Sequence, residues 1–165
     1  MKVSIDSNKK LNSKVLCEEY FSLQVDFGYE LNKINSFFQI NNGDSQSLEI
    51  SVNENSELSK VILLCSEDFT IIEEKIDINN CIEGVISFSE FSNINSEMFN
   101  IEVYNNAIRL QLSSACEYKK YRQGNLILSL DEEGKVVSIM VINLKEKERH
   151  HIIEELQFSK EERLS

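Results

Sequence analysis

His150 and His151 are the only histidines of the chain, and Glu154 and Glu155 follow each of them at i+4. On a helix this spacing sets an imidazole beside a carboxylate, a pair able to help hold a metal ion. A metal centre needs further ligands, and neither an HExxH motif nor closely spaced cysteines supply them. The simpler reading is a solvated, ion-paired helix face. Nucleophilic catalysis is no better served. None of the GxSxG, Walker A or GxGxxG patterns occurs among only five glycines, and both histidines share one charged segment. Adjacent acids such as Glu73 and Glu74 could serve glycoside hydrolysis, but in so acidic a chain a carboxylate pair carries little information. The chain reads as non-catalytic, with no cofactor and no metal.

The segment Tyr118-Lys119-Lys120-Tyr121-Arg122 interleaves aromatics with bases, a pattern that can stack on single-stranded nucleic acid. Three bases are a poor footprint for a protein of net charge -11, so the segment reads as an exposed loop or strand end.

The charge itself is unevenly placed. Between Asp44 and Glu102 lie thirteen acids and two bases, Lys60 and Lys75, while the rest of the chain holds fifteen of each. Such a field repels phosphate backbones and anionic lipid, which excludes nucleic acid and membrane surfaces as partners. It attracts basic proteins and speeds their encounter. Glu67, Asp68, Glu73, Glu74 and Asp77 are the candidate partner-binding acids.

A chain of 165 residues with 41% hydrophobic content reads as a single domain, 1–165, able to bury its own core. No apolar run exceeds the five residues Val61–Cys65, and the segment MKVSIDSNKKLNSK lacks the apolar stretch of a secretory signal, so the expected compartment is cytoplasmic. Cys17, Cys65, Cys81 and Cys116 have no metal or redox spacing and read as reduced structural thiols.

The elements that must position these residues are mostly strands. Alternating apolar residues mark Tyr20–Phe27, Ile34–Ile40, Leu48–Val52 and the more fully apolar Leu58–Cys65. Ile71–Ile78 and Cys81–Phe91 read as strands joined in a hairpin by Asn79-Asn80, and Phe99–Val103 and Ile108–Leu112 as a second hairpin at Asn105-Asn106. Leu126–Leu130 and Val137–Val141 flank the turn Asp131-Glu132-Glu133-Gly134. Lys145–Phe158 reads as a helix with mobile residues after it, and Leu11–Glu19 is a candidate short N-terminal helix. The expected class is α+β: a mainly antiparallel sheet built from hairpins, one face covered and one solvated, with a C-terminal helix.

A shift of 78 residues lays Leu48–Glu54 on Leu126–Glu132, sets Leu58, Val61 and Leu63 on Val136, Ile139 and Val141, and sets Phe21, Leu23 and Val25 on Phe99, Ile101 and Val103. Half-repeats 20–97 and 98–158 are therefore a candidate internal duplication.

In character the chain is similar to the immunity proteins that neutralise bacterial toxins, many of which are basic nucleases met by acidic inhibitors. That resemblance rests on no motif and transfers no residues. It implies a non-catalytic, protein-binding, antitoxin-type inhibitor whose acidic surface meets a basic partner. The alternative is a self-associating structural protein, a homodimer through its sheet edges. A small enzyme or metal-binding role at His150 and His151 is the third reading.

Overall fold

The computed structural model describes residues 2–18, 21–28, 34–42, 46–65, 69–90, 92–96 and 98–164. The first nine strands are β1 (Lys2–Asp6), β2 (Lys14–Glu18), β3 (Phe21–Asp26), β4 (Ile34–Asn42), β5 (Gln46–Asn53), β6 (Leu58–Cys65), β7 (Phe69–Ile71), β8 (Cys81–Glu83) and β9 (Val85–Ser89). Then come β10 (Ile94–Asn95), β11 (Asn100–Val103), β12 (Ala107–Gln111), β13 (Lys119–Gln123), β14 (Leu126–Leu130) and β15 (Val136–Ile142), before α1 (Glu146–Leu164), the single helix among the described residues. The mainly antiparallel α+β class is as the hairpin pattern predicts.

One sheet has the order β10-β4-β5-β6-β3-β2, the other β7-β11-β12-β15-β14-β13-β8. β1 and β9 form a separate antiparallel pair in which Ser4 faces Ser87. Inward-facing residues of both large sheets meet in one core, among them Val25, Phe38, Ile50, Val61, Ile101, Leu110, Leu128 and Ile139, joined by Phe88 from β9 and by Ile152 and Leu156 from α1. The fold is a two-layer β-sandwich with a helix against the β3–β2 end of the first sheet.

The same five-strand arrangement recurs in both layers. The order β4-β5-β6-β3-β2 of one matches β13-β14-β15-β12-β11 of the other. One core rung runs Phe38–Ile50–Val61–Val25–Val15, and its counterpart Tyr121–Leu128–Ile139–Leu110–Ile101. The two central hairpins share even their irregularity, a register shift at Ser51/Val52 and at Ser129/Leu130. These hairpins stand 78 residues apart, but the upstream strand does not keep that shift. Phe21–Asp26 occupies the place of β12, not of Phe99–Val103, and the unit begins at Lys14, ahead of residue 20.

Four expectations are corrected. Leu11–Glu19 holds no helix among the described residues; instead Lys14–Glu18 pairs with β3, where β-branched Val15 packs on the core. Sheet burial overrides a weak local helix pattern there. Ile71–Ile78 and Cys81–Phe91 are not a hairpin, since β7 and β8 lie at opposite edges of the second sheet. Nor is the outer face of that sheet solvated throughout: Ile127, Met140 and Ile142 on it are buried. At the C-terminus, α1 continues past Phe158 to Leu164.

Candidate partner-binding surface

Because β7 and β8 border opposite edges, residues 72–80 must cross the whole sheet. Six strand spacings amount to about 29 Å. The ten residue steps from Ile71 to Cys81 reach at most about 36 Å, so this strap runs nearly taut. Its sequence alternates accordingly. Ile76 and Ile78 turn down onto Ala107, Ile127, Met140 and Ile142, while Lys75, Asp77 and Asn79 face solvent.

Backbone contacts fix the strap along its length. The Ile72 N–H donates to the Val103 carbonyl at 2.9 Å, and the Asn105 N–H to the Glu74 carbonyl at 2.9 Å. Asn106 accepts the Ile76 N–H on Oδ1 at 2.9 Å and returns a bond from Nδ2 to the Ile76 carbonyl at 3.1 Å. Asn105 and Asn106 thus do two jobs, turning the β11–β12 hairpin and anchoring the strap. Sequence pattern exposes only the first.

Of the five candidate acids, Glu67 and Asp68 lie outside the described residues. Glu73, Glu74 and Asp77 all stand exposed on the strap. Glu73 reaches Arg149 of α1 at 3.2 Å, and the same guanidinium donates from Nε to the Tyr104 carbonyl at 3.0 Å. Asp77 accepts from the Asn79 amide at 2.9 Å. Glu74 and Asp77 form no ion pair with a described base.

In space the acidic excess is smaller than in sequence. Glu57 pairs with Lys9 at 2.6 Å, Glu83 with Arg122 at 3.4 Å, and Glu102 with Arg109 at 2.6 Å. With Glu73 and Arg149, four acids of the 44–102 stretch are met by bases from outside it. The Arg109 guanidinium also lies over the Tyr104 ring at 5.9 Å, and the Tyr104 hydroxyl donates to Glu102 at 2.9 Å. Burial, followed by that hydrogen bond, raises the Tyr104 hydroxyl above its ordinary pKa.

The other candidates resolve as follows. Lys119–Gln123 is strand β13, and of its bases Lys120 pairs with Glu117 at 3.1 Å and Arg122 with Glu83. His150 meets Glu154 at 3.1 Å on an exposed face of α1. Among the described residues no three His, Cys, Asp or Glu side chains converge as a metal site would require. Likewise no described helix is long and apolar enough to cross a membrane.

No protein-family model matches the chain, and no curated protein matches it.

Proposed function

We propose that the chain is a non-catalytic binding module that takes a basic protein partner on the strap, as an immunity or antitoxin-type inhibitor does. The observation that supports this is the strap's construction. Glu74 and Asp77 are exposed on a backbone tied to Val103, Asn105 and Asn106, so the positions from which their carboxylates project are fixed before a partner arrives. Preorganised charge loses little conformational entropy on binding and steers encounter with a cationic surface.

The test is capture from the native organism at about 0.1 M and about 1 M salt, where the Debye length falls from about 10 Å to about 3 Å. The captured protein is then purified and titrated against wild type and the double variant Glu74→Lys/Asp77→Lys. A basic partner held at low salt and weakened about tenfold or more by the double variant is the expected result. Unchanged affinity in the double variant would remove the strap from the interface.

A further inference from the structure

Among the described residues one sheet has seven strands and the other six, and the repeated unit shows where the two differ. β4 and β13 each carry a short parallel strand on their outer side, β10 and β8 respectively. β11 carries β7, also parallel, with Phe69 beside Ile101 and Ile71 beside Val103. Its counterpart β2 is an edge on which no strand pairs among the described residues. The rung that runs through Ile101 to Phe69 in one sheet stops at Val15 in the other.

The segment at the corresponding place in the second unit is helical. Downstream of the β5–β6 hairpin the chain crosses to the other unit and forms β7; downstream of β14–β15 it crosses over as α1, beside β3 and β2. A groove of about 430 Å³ is left between the β2 edge and the helix start, bordered by Val15 and Cys17 on one side and Lys145, Lys147, Glu148 and His151 on the other. That volume lies within the range of ligand pockets. Val15 and Cys17 are only partly buried against the core, and Lys145 and Lys147 are exposed with no ion pair to a described residue.

We propose that the β2 edge is a second interaction site, which takes an extended segment of a partner protein as a parallel seventh strand. The segment would have apolar residues at i and i+2, seated beside Val15 and Cys17, and flanking carboxylates for Lys145 and Lys147. The chain carries a pattern for such a ligand in β7, Phe69-Thr70-Ile71, which is flanked in sequence by Glu67, Asp68, Glu73 and Glu74. Strand addition of this kind draws affinity from backbone hydrogen bonds and specificity from alternate side chains. The site is separate from the strap, and neither reading depends on the other.

The probe is a fluorescein-labelled peptide copying residues 66–74, SEDFTIIEE, titrated into the full-length protein at low salt with amide NMR to locate it. Saturable binding that perturbs residues 14–17 is expected. It should weaken tenfold or more with Lys145→Glu/Lys147→Glu, and with Thr70→Pro in the peptide, which removes a backbone donor. Acidic residues suit a helix N-terminus, so the double variant should stay folded. Any of four outcomes would overturn the proposal: no binding up to about 1 mM; affinity indifferent to the lysine reversal; a footprint on residues 100–103, meaning exchange with β7; or a homodimer that the lysine reversal dissociates, meaning that a second copy is the occupant.

Discussion

Asn106 holds the peptide of Ile76 from both sides, accepting its N–H at 2.9 Å and donating to its carbonyl at 3.1 Å. A side-chain amide has one acceptor and one donor group, and here both serve as an extra strand would, pinning a segment that has no strand partner of its own. Asn106→Ala should therefore cost about 1–3 kcal/mol, since it leaves two backbone groups to be satisfied otherwise. It should also release residues 72–80 ahead of the rest of the sheet. Urea denaturation with hydrogen exchange checks both parts, and unchanged exchange across the strap would show that its backbone bonds to Val103 and Asn105 and the packing of Ile76 and Ile78 suffice to hold it.

The helix offers a second expectation. α1 reaches the core through Ile152 and Leu156, one turn apart and both 0% exposed, whereas Phe158 is 58% exposed. Leu156→Ala should cost about 2–5 kcal/mol. Phe158→Ala should stay within about 0.5 kcal/mol. Equal losses in thermal or urea unfolding would mean that the helix rests on the sandwich by a different face.

Much of the sandwich was legible because each hairpin carries its own grammar. Asp131 is an example: its carboxylate accepts the Glu133 and Lys135 N–H groups at 2.9 Å each, and Gly134 takes the positive φ that the turn requires. The strap was not legible, because alternation in Ile76 and Ile78 is the same whether they face a core within a hairpin or lie across the back of a sheet. Asn79-Asn80 misled for a related reason, since Asn80 does adopt φ of 59° but as a bend at the strap's end. The signal lay in Ile127 alone, apolar where the matching residue of the first sheet, Glu49, is polar; Met140 and Ile142 match Ile62 and Leu64 and carry no such contrast. Of the candidate site, the acids of 73–77 were visible; the pairing of Glu73 with Arg149 was not, because that base arrives from distant sequence. We propose duplication of one ancestral unit as the origin of the shared strand order. The seven-residue discrepancy between the hairpin shift and the β3–β12 shift would then reflect loop-length changes.

Glu117 gives a pH expectation. Burial pushes its carboxyl up, but hydrogen bonds from Ser138 at 2.8 Å and from Lys120, with the Lys120 charge, outweigh that and leave it below the usual 4.5. A carboxylate depressed in the folded state adds stability that is present above its unfolded value and lost as pH falls through the folded one. Glu117→Gln should therefore destabilise the protein at neutral pH, and the gap from wild type should narrow as pH drops below about 4.5. Unfolding free energies measured from pH 7 to 3 test this, and a gap constant with pH would mean that Glu117 acts through packing.

Cys17 and Cys116 should separate by reactivity. Cys116 is exposed. Cys17 is half-buried at the β2 edge, where burial foremost and then the Glu148 carboxylate push its thiol up to about 11. Only the thiolate attacks, so at pH 8 about one molecule in a thousand carries the reactive form at Cys17. Labelling with a maleimide at pH 8, mapped by peptide mass, should mark Cys116 well before Cys17, and the Cys17 rate should climb with pH until about 11. The groove adds a second condition, because a strand seated beside Cys17 would cover the thiol. Saturating the SEDFTIIEE peptide should slow Cys17 labelling further while leaving Cys116 unchanged. If Cys17 labels as fast as Cys116 in the free protein, the β2 edge is more open to water than an apolar strand site requires.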